Sequence, residues 1–250
     1  MDTKEREKDT SAAERRRRME ARRRREKARR RKKIRRLITI AIILVVVVIA
    51  AAAGVLLFKK FSGGSKEIAA KNGTYVIAID PGHGGEDTGM SSEFALEKDV
   101  TMDISSKLKV MLESQGYQVV MTREDDSRQS KEDRVAAANA SSADLLVSIH
   151  CGYSEDSSKS GAVTYYEKDS KESKTLAENI QAAVIKENGA LDGGAAEGSY
   201  SIVNDTEMPA VLIEVGYLSN SNEAGSLADD SYQNDTAKGI AKGIILSLAE

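Results

Sequence analysis

The sequence predicts an α/β layered domain with a largely parallel sheet, preceded by a single transmembrane helix. Two observations carry the domain. From Thr74 onward short apolar runs alternate with helical patterns, and the runs "VIAI" and "LLVSI" are continuously apolar, as in strands covered on both faces. A third observation carries the helix: Leu37 to Phe58 is a 22-residue stretch without a charge. At 1.5 Å per residue it spans about 33 Å, enough for a hydrocarbon core about 30 Å thick.

Residues 1–36 form a basic arm with 19 Lys+Arg against 7 Asp+Glu, which leaves 18 basic and 32 acidic residues to the rest of the chain. The formal net charge of −2 therefore hides two opposite halves. Basic residues stay on the cytoplasmic side, so the arm places the N-terminus inside and everything after Phe58 outside the cytoplasm. A cleaved signal peptide is the alternative, with small residues at Ala50 to Gly54. Against it, the apolar run continues to Phe58 and 36 residues precede it. A basic arm directly beside an apolar span is an orientation signal that also touches anionic lipid headgroups, and no nucleic-acid partner is expected. Residues 59–73 are polar, with glycine and serine, and read as a short tether to an exported domain over 74–250. Cys151 is the only cysteine, so that domain has no internal disulfide and is held together by its core.

Within the domain, strands are expected at "YVIAID", "YQVVMTR", "DLLVSIH", "GAVTYYE", "YSIVN" and "AVLIEVGY". Helices are expected at about 97–114, 131–140, 170–187 and 232–249. Pro81 ends the first strand and Pro209 precedes the last. No internal repeat is visible.

The chain has two histidines, and both close strands: His83 follows "VIAID" by three residues and His150 ends "LLVSIH". The carboxyl edge of an open α/β sheet is where ligands bind, so neighbouring strands would bring the two imidazoles together. Two neutral imidazoles suggest zinc, which takes three protein ligands in a catalytic site. Glu86, Asp87, Glu93 and Glu97 follow His83 as possible third ligands. Glu97 lies one turn before Val100, on the face made apolar by Val100, Ile104, Leu108 and Met111, so its carboxylate needs a partner. The other reading of Glu97 is a first-turn residue favoured by the helix dipole. Glu214 lies inside the apolar run "AVLIEVGYL" and shares its strand face with Leu212, opposite Val211, Ile213 and Val215. It is either a base beside a metal site or a residue on the solvated face of an edge strand. Cys151 points away from His150 and reads as a buried or loop residue. Arg123 reads as a solvated charge or structural pair, and one of Tyr165 and Tyr166 as core.

Read together, "IAIDPGHGGEDTG", "LEKDVTMDISSKL", "GYQVVMTRED", "DRVAAANASSADLLVSIH", "GAVTYYE" and "PAVLIEVGYLSN" resemble the zinc-dependent N-acetylmuramoyl-L-alanine amidases of the type 3 family, over about residues 74–248. The resemblance implies a twisted, mostly parallel mixed sheet with helices on both faces and one zinc ion at its edge. It implies His83, Glu97 and His150 as the metal ligands and Glu214 as the catalytic glutamate. It also implies peptidoglycan as substrate, cut at the amide between N-acetylmuramic acid and L-alanine. A zinc hydrolase of another wall bond, such as a carboxypeptidase or deacetylase, and a non-catalytic wall-binding protein on the same fold are the competing readings. Three departures stand out. His150 is followed by Cys-Gly where the family usually has Ala-Asn. The segment "LDGGAAEGSYSIVNDTEMPA" lacks the usual arginine-glycine pair. The interval from Glu167 to Pro209 leaves little room for the long inhibitory helix of some septal amidases. No wall-binding repeat is visible, so the transmembrane helix is expected to be the sole localisation device.

Overall fold

The structure is a computed structural model that describes residues 74–249. The expected basic arm 1–36, membrane span 37–58 and linker 59–73 lie outside the described residues. Among the described residues, no helix is long and apolar enough to cross a membrane.

Six strands form one sheet. They are β1 (Val76–Pro81), β2 (Gln118–Met121), β3 (Leu145–Gly152), β4 (Ala162–Tyr166), β5 (Asp192–Glu197) and β6 (Ala210–Tyr217). Their order is β2-β1-β3-β6-β4-β5. β2, β1, β3 and β6 run parallel, whereas β4 is antiparallel to β6 and carries β5 parallel to itself. The sheet is thus the expected mixed sheet with helices on both faces. Strands β3 and β6 are almost wholly buried, which accounts for their continuous apolar runs.

Helices α1 (Glu97–Ser114), α3 (Lys171–Asn188) and α6 (Asp230–Ser247) cover one face. Val100, Ile104, Leu108 and Leu112 of α1 meet Ile77, Ile79, Val147, Val211, Ile213 and Val215 there. Met111, expected on the α1 stripe, is only partly buried, and Leu112 takes the inner position. α6 lies directly on α3: a Cβ added at Gly239 would fall 2.5 Å from Val184 Cα, and one at Gly243 would fall 2.4 Å from Ile180 Cα. Only glycine permits that approach within a helix. The other face carries the shorter α2 (Lys131–Ala140) and α4 (Ser201–Asn204), packed on Ala78, Leu146, Ala210 and Leu212. α5 (Ser221–Leu227) follows β6 and packs into the first core through Ala224 and Leu227.

Two expectations are corrected. "YSIVN" is not a strand but the one-turn helix α4, because its adjacent apolar residues Ile202 and Val203 turn together into the second core. The sixth strand is instead β5, "DGGAAE", at one edge of the sheet, whose residues favour strands poorly. It forms by pairing with the open edge of β4. The helix α5 was also unexpected; Asn220 caps it by accepting from the Asn222 and Glu223 N–H groups.

The chain enters β1 at Val76, whose N–H donates to Asp144 Oδ2 at 2.8 Å. Asp144, Pro209 and Leu248 line a cavity of about 380 Å³ at this amino edge of β3 and β6. Both ends of the described chain therefore lie at the edge opposite the carboxyl ends of β1, β3 and β6.

Candidate metal centre and active-site cavity

The carboxyl ends of β1, β3 and β6 bring the four singled-out residues to one place. β1 runs into the turn Gly82–Gly85, which carries His83. His150 lies near the end of β3, in register with Glu214 on β6. Glu97 opens α1 from the other side. Its N–H donates to the Met90 carbonyl at 2.8 Å and that of Lys98 to the Thr88 carbonyl at 3.1 Å, so the loop after His83 serves as the cap of α1.

Glu97 Oε1 lies 3.0 Å from His150 Nδ1 and 3.2 Å from His83 Nε2. One ligand atom from each of the three residues lies within 4.8 Å of the others. Two imidazoles and a carboxylate with a further position open form the donor set of a catalytic zinc site, and these atoms already converge. Glu97 is held otherwise only by backbone: Cys151 N–H donates to Oε1 at 2.9 Å and Met90 N–H to Oε2 at 2.8 Å. Burial alone would raise the Glu97 carboxyl, but the hydrogen bonds and charge of the two imidazoles outweigh it and hold the group far below the usual carboxylate range. The rings of His83 and His150 meet edge to face, 5.0 Å between centroids.

Glycine makes this closeness possible at two points. A Cβ at Gly82 would fall 2.4 Å from the His150 ring. One at Gly89, where φ is +63°, would fall 2.5 Å from Glu97 Oε2.

The turn is fixed by the residues around it, of which Asp80 and Arg134 were not singled out in the sequence. His83 has a φ of 59°, rare for a residue with a side chain. Asp87 Oδ1 lies 3.0 Å from His83 Nδ1, which leaves Nε2 facing Glu97. Of the possible third ligands, Glu97 is the one that joins the histidines, whereas Glu86 and Asp87 are exposed and Asp87 meets the far side of the His83 ring. Arg134 of α2 donates to the Asp80 carboxylate at 2.8 Å, to the Pro81 carbonyl at 2.6 Å, and to the His83 carbonyl. Arg123 donates to the Pro81 carbonyl at 3.1 Å and the Gly82 carbonyl at 2.9 Å. It is structural, as expected, but buried rather than solvated. Burial alone would raise the Asp80 carboxyl, but Arg134, Thr122, His150 and Ser148 together bring it below its ordinary value.

Glu214 is half-buried. Burial raises its carboxyl above the ordinary value, against the lowering influence of His150 and Lys159; Glu97 adds to the rise, and Tyr165 opposes it. Tyr165 pairs with Leu212 and Val163 with Glu214, so Tyr165 is the diagonal neighbour of Glu214 on the same face. Tyr166 is the core tyrosine of the pair. Cys151 is buried in the first core, on the opposite side of β3 from His150, and is not among the three residues whose ligand atoms converge. These groups open into a cavity of about 450 Å³ lined by His83, Glu97, His150, Glu214, Tyr200 and Tyr153, among others.

Residues 77–246 match the N-acetylmuramoyl-L-alanine amidase family. The germination-specific N-acetylmuramoyl-L-alanine amidase of Bacillus subtilis is 37% identical over 191 residues, covering 70% of this chain and 80% of that protein. The N-acetylmuramoyl-L-alanine amidase LytC of the same organism is 34% identical over 172 residues, 68% of this chain but only 35% of LytC. Among solved structures, N-acetylmuramoyl-L-alanine amidase from Clostridium difficile 630 superposes with a TM-score of 0.67 at 36% identity, covering 69% of this chain and 96% of that one.

Proposed function

Because the chain belongs to the N-acetylmuramoyl-L-alanine amidase family, we propose that it is a peptidoglycan hydrolase. It cuts the amide between the lactyl group of N-acetylmuramic acid and L-alanine. The observation that carries the reading is the convergence of His83, Glu97 and His150 beside Glu214 in one cavity.

In this reading His83, Glu97 and His150, whose ligand atoms already converge, would hold one zinc ion. When bound there, zinc supplies a Lewis acid for the substrate carbonyl and lowers the pKa of water toward neutrality. Asp87, 3.0 Å from Nδ1, would hold the His83 ring in the tautomer that leaves Nε2 free for the metal. Glu214 takes the proton of the attacking water and delivers it to the departing amine of L-alanine. Its partly buried carboxylate, in register with His150, supports that role.

The basic arm 1–36 and uncharged span 37–58 support a membrane-anchored form, with domain 74–250 outside the cytoplasm facing peptidoglycan. Protease added to intact cells should then remove the domain and spare a tag on residue 1; the reverse pattern overturns this topology.

Digestion of purified peptidoglycan by the zinc-loaded protein, followed by mass analysis of the termini, tests the reaction. New free L-alanine amino ends, with lactyl groups retained on the glycan, are expected. Cleavage within the peptide, or loss of acetyl groups alone, would overturn the amidase reading in favour of another zinc hydrolase.

A further inference from the structure

The loop after His150 is pinned by its backbone on both sides of Tyr153. Cys151 N–H donates to Glu97 Oε1 at 2.9 Å, Gly152 C=O accepts from Leu218 N–H at 3.2 Å, and Ser154 N–H donates to Ser219 Oγ at 3.1 Å. Gly152 lies against the Tyr217 ring, where a Cβ would fall 2.8 Å from Cε1. Between these fixed points the Tyr153 side chain is 59% exposed and lines the cavity that holds the metal cluster.

Of the large exposed apolar side chains among the described residues, Tyr153 is the one that lines this cavity. Aromatic residues make up 4% of the chain and tryptophan is absent, so an open ring three residues from His150 is not a reflection of composition. A lone exposed apolar side chain is ordinary on a protein surface, but an aromatic ring on the wall of a concave site is the usual lining of a ligand pocket. A tyrosine on a fixed backbone has two side-chain torsions to order, so it offers a flat face at small entropic cost.

The substrate class provides a matching surface. The acyl side of the scissile amide is a lactyl ether on a pyranose ring, whose axial C–H groups form a flat apolar patch bordered by hydroxyl and acetamido groups. We propose that Tyr153 is a sugar-stacking residue at the mouth of the cavity, taking the apolar face of the hexose that bears the lactyl group. This inference rests on the amidase reading. It extends that reading from the bond that is cut to the part of the substrate that is gripped.

The test compares two substrates on the full-length protein in detergent. One is a disaccharide-peptide muropeptide; the other is the lactyl peptide without its sugar, followed as substrate or, if uncut, as competitive inhibitor. Y153A should raise KM for the muropeptide by roughly five-fold with kcat retained, the size and pattern of a lost aromatic contact made equally in ground and transition states. It should shift the sugar-free constant by less than two-fold, and Y153W should restore the wild-type KM. An equal loss on both ligands means that the ring serves the peptide and overturns the proposal, as does an unchanged KM for the muropeptide. If the wild-type protein leaves the muropeptide uncut, the amidase reading falls first and the platform with it. Cleavage by wild type with an unaltered Y153A removes the platform alone.

Discussion

The two faces of the sheet are built differently. One carries three helices of 18 residues each, α1, α3 and α6, and joins them to the sheet through a large aliphatic cluster, with Thr101, Ser105, Gln181, Gln233 and Thr236 buried among it. The other carries α2, with 10 residues, and the one-turn α4. Beneath them Asp80, Ser148 and Arg134 are buried and bonded to one another and to the His83 turn. The thick face supplies the burial that stabilises the fold. The thin face leaves a cavity open and fills its floor with hydrogen-bonded charge, which stabilises little but sets geometry. Glu97 joins the two, since it belongs to a thick-face helix and yet its carboxylate meets both imidazoles.

If this separation holds, substitutions on each side should fail in different ways. The largest effect is expected from Glu214→Gln, which should lower kcat by about 10²–10⁴-fold, the usual worth of a positioned proton-transfer group. Its zinc content and melting temperature should stay near wild type; retained turnover would remove Glu214 from the proton-transfer role. Ile240→Ala, at a fully buried thick-face position, should cost about 2–5 kcal/mol of unfolding free energy in denaturant titrations. Zinc affinity of the folded fraction should be unaltered. Arg134→Lys keeps the charge beside Asp80 but loses the fork that reaches the Pro81 and His83 carbonyls. Competition with a chromophoric chelator should show zinc bound about 10–100-fold more weakly. Equal weakening by Ile240→Ala would show that the faces are energetically one unit.

The parts of the site visible in the sequence were those whose residue type conflicts with its surroundings. Glu214 is a carboxylate within an apolar strand, Glu97 sits on the buried stripe of an amphipathic helix, and the only two histidines close strands. Asp87 and Arg134 were not visible in their roles, because their partners are a turn carbonyl and a ring orientation that exist only once β1, α2 and the loop after His83 are packed. The same holds for the fold. β1, β3 and β6 announce themselves by apolar runs, whereas β5 has no intrinsic strand character and forms because β4 offers an unpaired edge. "YSIVN" has a strand-like composition, but its neighbouring Ile202 and Val203 find their burial against α2 in a single helical turn.

The position of the two chain ends has a mechanical consequence. Val76 enters and Leu248 leaves at the amino edge of the sheet, whereas the metal cluster occupies the carboxyl edge. The six residues of β1 put about 20 Å between those edges. The domain therefore behaves as a tool gripped at one end and sharp at the other. A tether, a tag or a surface support joined at either terminus holds it by the handle, and the cutting edge stays clear for a polymer too large to enter any closed pocket.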